Sequence, residues 1–232
     1  MRTRIFALLA GLVMALPPQL GICAPSALDS VSNREAVEGL RQALAKGSQY
    51  AVDALGRQDG FFANDKVRIA LPDSVQTVER VLRQFGMGRH ADELVLALNR
   101  AAEAAAPEAK VLLLDAVKKM SVRDAKAILG GAQDSATQCF KRATEAQLRE
   151  RFLPVVEKAT ANLQLARVYD EYAGKGAQFG LIGKEDAKLD AYVTQKALDG
   201  LFLMIAEQEA RIRQNPGEAA TSILRKVFGA LK

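Results

Sequence analysis

The sequence predicts an all-α fold, a single domain of about eight helices with kinks at proline, behind an N-terminal signal segment. Three observations predict it. Apolar residues recur three and four positions apart through most of the 232 residues. Capping residues, glycines and prolines interrupt that pattern at helix-length intervals. β-Hairpin signals, two alternating runs joined by a tight turn, are absent.

Residues 1–24 read as the signal. Arg2 and Arg4 precede an uncharged stretch from Ile5 to Leu16, and Pro17-Pro18 breaks it. Cations held at the cytoplasmic face, an apolar stretch for the translocon and a helix stop are the three parts of a secretory signal. The stretch is shorter than the about 20 residues a spanning helix needs. The alternative is a buried N-terminal helix. Ile22-Cys23-Ala24 suits cleavage after Ala24, although Pro25 is a poor first mature residue, and cuts after Cys23 or Ala27 are alternatives. Leu20-Gly21-Ile22-Cys23 also resembles a lipoprotein signal, with an anchor through Cys23. Ile22 stands where that signal normally has Gly, Ala or Ser.

The remainder, 25–232, is read as one helical domain. Asp29-Ser30 offers N-caps for a helix carrying Val37, Leu40, Leu44, Val52 and Leu55, with Gly47 weakening its middle and Gly56 at its end. Residues 57–66 read as a loop and 67–71 as an extended segment leading into Pro72, a good first helical residue. A helix from Pro72 to Phe85 is closed by Gly86-Met87-Gly88. The next starts near Arg89, carries Leu94, Leu98 and Ala101, and is kinked or restarted at Pro107 before Val111 to Met120. Ser121 to Asp124 resembles a capping box for a short helix stopped at Gly130-Gly131. Asp134-Ser135 caps another short one. Thr144 to Gln147 is a capping box for a long helix carrying Leu148, Phe152, Val155, Val156, Leu163 and Val168, bent at Pro154. Residues 174–189 are the longest loop. Helices from Asp190 to Gln214 and from Gly217 to Leu231 flank the turn Asn215-Pro216-Gly217.

Composition narrows the function. Lys and Arg number 32 against 27 Asp and Glu, a formal charge of +5, and Arg2 and Arg4 leave with the signal. That mild, interleaved charge lacks the basic clusters of a nucleic-acid footprint, and the absence of Trp removes the best stacking platform. Cys139 alone is certain to lie in the mature chain, so no disulfide framework is available. The roughly 205 mature residues bury a sizeable core without one.

Catalytic inventory is thin. His90 is the only histidine, and a triad or a multi-His metal site cannot be built on one. It reads as an ordinary residue at a helix start. No GxSxG, P-loop or HExxH spacing occurs. Asp59, Asn64, Asp65 and Asp73 surround Phe61-Phe62, yet lack the alternating ligands of an EF-hand loop and read as solvated acids and caps. Phe61-Phe62 reads as a packed loop anchor and Cys139 as an inert thiol. No catalytic residue, metal or cofactor is assigned.

Asn99 and Glu103 share a helix face, Arg100 can pair with Glu103, and the surrounding alanines let another helix approach closely. Buried there, these groups demand partners. Two readings stay open: a network that fixes helix register, or a polar anchor in a ligand cavity. Tyr192 and Lys196 precede a run from Ala197 to Ala206 that is apolar on nearly every face after Asp199, as a central or groove-lining helix is. Asn99, Arg100, Glu103, Tyr192 and Lys196 are the candidate polar pocket or network. Leu94, Leu98, Leu198, Phe202 and Ile205 are its candidate apolar lining.

Several of these landmarks together resemble a known family. They are Asp59-Gly60-Phe61, Asn99 to Glu103 with Pro107, Asp124-Ala125 with Ile128-Leu129, Phe152-Leu153-Pro154, Tyr192 to Phe202, and Lys226-Val227-Phe228-Gly229. The chain resembles the bacterial domain-of-unknown-function family 4197 over nearly all of residues 30–230, and Tyr192–Phe202 is the most specific part. The resemblance implies an exported helical protein and brings no activity, substrate or catalytic residue.

The expectation is a periplasmic binding or interaction protein without catalysis, holding an apolar or amphipathic ligand or a partner protein among the helices near 94–117 and 192–212. Two alternatives stand beside it: a carboxylate-based enzyme without metal or nucleotide cofactor, and an envelope structural or assembly factor. No nucleic-acid partner and no transmembrane span in the mature chain are expected. A homodimer is left open.

Overall fold

Ser32 starts the first helix. It is extended (φ −67°, ψ 154°), its hydroxyl accepts the Glu35 N–H at 3.2 Å, and Glu35 accepts the Ser32 N–H at 3.0 Å. This capping box satisfies two orphan donors reciprocally and sets α1 at Asn33–Leu55, later than the Asp29-Ser30 caps expected. The computed structural model describes residues 30–72, 84, 88–120, 125–161 and 188–231. The expected signal 1–24 with Cys23, most of the helix expected over Pro72–Phe85, Asp73, the capping box expected at 121–124, Leu163, Val168 and most of the loop expected at 174–189 lie outside the described residues.

After α1 come α2 (Gly88–Ala105), a 3₁₀ turn (Ala106–Glu108), α3 (Ala109–Lys119), α4 (Ala125–Leu129), α5 (Ser135–Thr160), α6 (Leu189–Gln214), a second 3₁₀ turn (Pro216–Glu218) and α7 (Ser222–Gly229). The described residues hold no strand. They hold six helices of eight residues or more, rather than about eight. Part of the difference lies at Thr144. Its hydroxyl donates to the Phe140 carbonyl one turn back, at 2.9 Å, so it sits inside a helix instead of capping a new one. The two helices expected around it are the single α5, which also continues through Pro154. Pro107 does restart the chain: it opens the 3₁₀ turn between α2 and α3, where its missing N–H costs nothing.

α6 is the central helix, packed on α1 along one side and on α5 along another. Its run from Ala197 to Ile205 is buried except at Asp199 and Leu203, as a helix apolar on nearly every face requires. Gly47 is where α1 meets it. A Cβ there would lie 3.2 Å from Ile205 Cγ2, so the glycine that weakens α1 in isolation sets how close the two helices come. α3 runs antiparallel to α1: Gly56 faces Pro107 at one end, and Arg41 donates to the Met120 carbonyl at the other. α5 runs antiparallel to α6, from Ala136 beside Glu209 to Glu145 beside Gln195. Between α1 and α2 the described chain, 56–72, has no regular element of any length and crosses α2 and α6 as a strap.

Lys226 of α7 reaches back to Glu35 at 2.6 Å. This contact first, then the Ser32 N–H and hydroxyl, pulls the Glu35 carboxyl from 4.5 down to about 2. A depressed carboxyl contributes fully above its ordinary value, and the contribution is lost as pH falls through about 2. The expected NMR titration midpoint for Glu35 is about 2, moving up toward the ordinary carboxylate range in Lys226→Ala. An ordinary midpoint in the unaltered chain would refute the clamp.

Candidate functional site

The strap carries Phe61, Val67 and Ile69 into the core, and three helix residues secure its backbone. Glu103 Oε1 accepts the N–H groups of Phe61 and Phe62, both at 3.1 Å. Asn99 accepts the Ile69 N–H at 2.9 Å and donates to the Ile69 carbonyl at 2.8 Å, which pairs it with a peptide as a neighbouring strand would. Tyr192 donates to the Ala70 carbonyl at 3.0 Å. A strap without its own ladder would otherwise bury these amides unpaired.

Arg100 completes the arrangement. It donates to Glu103 Oε2 at 2.5 Å and to Asp59 at 2.7 Å, and lies with Arg68 over the Phe62 ring. Hydrogen bonds to Glu103 and then Asp59 raise its pKa above the ordinary guanidinium value. Asp59 takes a left-handed backbone (φ 63°), which Asp tolerates better than most residues. On the far side, Gly200 of α6 leaves the space that Phe61 fills, since a Cβ there would come 2.9 Å from the ring.

Four of the five polar candidates therefore meet the strap, at successive points along it, where their bonds go to its backbone and to Asp59. Asn99 is 0%, Glu103 4% and Tyr192 9% exposed. Lys196 is apart from them, exposed, with its ammonium 5.5 Å over the Tyr192 ring. Leu94, Leu98, Leu198, Phe202 and Ile205 are all buried in one continuous core cluster, and none lines the groove between α3 and α5. Among the described residues no three His, Cys, Asp or Glu side chains gather as metal ligands.

Sequence reasoning missed a second buried network. Asp134 occupies the N-cap position of α5, yet its side chain makes no capping bond. Glu209 of α6 caps the helix instead, accepting the Ala136 N–H at 3.1 Å and the N–H and hydroxyl of Thr137, both at 2.8 Å. Arg213, one turn on, holds Glu209 at 2.8 Å and donates to the carbonyls of Leu129 and Ile128 at the end of α4. One ion pair thus supplies a carboxylate where a helix begins and a cation where another ends, the signs that helix termini favour. Nothing in the sequence marks out either residue, since charged residues recur at every second position through 207–213.

Between α5 and α6, Lys141, Glu145, Arg149, Gln195 and Asp199 form a half-exposed polar cluster. Lys141 bonds Asp199 at 3.0 Å, and Gln195 bonds Glu145 at 3.2 Å, Asp199 at 3.0 Å and the Arg149 guanidinium. Each group there has a partner within the cluster.

An open feature lies elsewhere. A groove of about 810 Å³ runs between α3 and α5. α3 contributes Val111, Leu112 and Ala116, its C-cap residue Met120 follows, and α5 contributes Phe140, Ala143 and Thr144. Val111 is 71% exposed at its mouth. Glu108, Asp115, Lys119, Gln147 and Arg151 form the rim. No helix among the described residues is long and apolar enough to cross a membrane.

The family described as protein of unknown function, DUF4197, matches the chain over residues 30–229. No curated protein and no solved structure matches it.

Proposed function

The chain belongs to the DUF4197 family, and from that premise we propose that it is an exported, non-catalytic binding or interaction protein whose working surface is the groove between α3 and α5. One observation carries the reading. This is an open trough of ligand-sized volume in which apolar side chains lie between charged and polar ones, and ligand sites combine apolar lining with a few polar groups that fix orientation. The groups with chemical potential support it from the other side. Glu103, Asn99 and Glu209 are buried, and their bonds go to the protein's own amides and arginines. The occupant that suits the trough is amphipathic, and the proposed site of the encounter is the periplasm, in keeping with the signal-like pattern of Arg2, Arg4 and the uncharged stretch from Ile5 to Leu16.

Native mass spectrometry of the chain purified from its own host, with solvent extraction, tests this. The expected result is a groove that is occupied, by an amphipathic molecule or a polypeptide, and emptied by Val111→Asp. A monomer carrying nothing would overturn the proposal.

A further inference from the structure

We propose that a second copy of this chain closes the groove, α3 packing antiparallel on its counterpart about a two-fold axis; the proposal rests on the groove being the working surface and names what fills it. Charge makes the choice. Glu108 and Asp115 oppose Lys119 and Arg151 along the rim, so a free headgroup of either sign meets as much repulsion as attraction. A surface carrying the same charges in reverse order meets neither problem.

The α3 helix with its N-cap residue Glu108 is such a surface. Glu108 and Lys119 lie equally far from the midpoint of Leu113 and Leu114, about 8 Å along the axis at 1.5 Å per residue. A two-fold axis at that midpoint puts Glu108 of each copy opposite Lys119 of the other, two pairs at once. The same operation sets Val111 opposite Ala116, a large exposed side chain against a small one that lines the groove. Glu108 and Lys119 are both exposed, and neither has an ion-pair partner among the described residues. Their neighbour Asp115 is already tied to Lys118 at 3.8 Å. Isologous contacts need this kind of self-complementarity, and it removes a 71% exposed valine from water.

Sedimentation velocity over a range of concentrations reads the association. The expected result is a reversible dimer, with its dissociation constant raised more than tenfold by Val111→Arg. Glu108→Lys and Lys119→Glu should each weaken it several-fold, since rim pairs are individually weak. The double reversal should return it to within about threefold, because the exchanged charges again meet their opposites across the axis; circular dichroism checks that every variant is folded. A dimer indifferent to Val111→Arg and to both reversals would overturn the proposal. So would a monomer at every concentration. If that monomer carries a bound amphiphile in native mass spectrometry, only self-association fails; if it is empty, the groove fails as a working surface too.

Discussion

Replacing Glu209 with alanine is expected to destabilise the protein by about 3–5 kcal/mol, the cost of removing one partner from a buried ion pair. Four donors lose an acceptor at once: the N–H groups of Ala136 and Thr137, the Thr137 hydroxyl and the Arg213 guanidinium, which keeps the Leu129 and Ile128 carbonyls but loses its counter-charge. None can turn to water, because Ala136 is fully buried, Thr137 is 1% exposed and the Arg213 side chain 8%. Asp134, at the N-cap position, makes no capping bond and is turned instead to Gln138 at 2.9 Å. Glu209→Gln keeps the shape but turns an NH₂ toward donors, and should recover little. Arg213→Ala alone should cost less, and the double variant less than the sum of the two, because the stranded cation is gone. Denaturant unfolding of the four proteins measures this. A Glu209→Ala loss below about 1 kcal/mol, or strict additivity, would show that the pair is not the tie between α4, α5 and α6.

Why Glu209 was illegible while Glu103 was not is a matter of composition around them. Asn99, Arg100 and Glu103 stand among alanines at 101, 102, 104, 105 and 106, and a polar group in a face of small residues announces burial. Glu209 stands in Ala-Glu-Gln-Glu-Ala-Arg-Ile-Arg, which reads as a solvated face. Its partners are about 70 residues away in sequence, and nothing local predicts them. The periodic apolar face of α1 and the run at 197–206 were readable because helical spacing is a local property. The groove was not, because it is a gap between two helices that are neighbours only in the folded chain, and the apolar residues singled out at 94, 98, 198, 202 and 205 fill the core instead. Thr144 misled for the opposite reason. A Thr-x-x-Gln spacing caps a helix only if the preceding residues are not already helical, and Ser135 to Ala143 are.

Glu103→Ala should cost about 2–4 kcal/mol, from two buried charge-assisted hydrogen bonds at roughly 1.5–3 kcal/mol each, reduced by local relaxation. The loss is smaller than at Glu209 because Arg100 is not stranded: its side chain is 34% exposed and keeps Asp59. Glu103→Gln retains one acceptor and should fall about midway. Arg100→Ala should cost more than the about 1 kcal/mol of an exposed pair, because it leaves the buried Glu103 carboxylate, 5% exposed, without its cation. Hydrogen exchange separates local from global opening. The Phe61 and Phe62 amides should exchange faster in Glu103→Ala, while the Ile69 amide, held by Asn99 at 2.9 Å, stays protected. Equal acceleration at all three would mean that the strap opens as one unit. The variant also discriminates between the two places where function could sit. No strap residue lines the groove, so folded Glu103→Ala protein should occupy its groove as the unaltered chain does. If it folds and the occupant is lost, the polar residues on α2 belong to the site after all, and the trough between α3 and α5 is not where this protein acts.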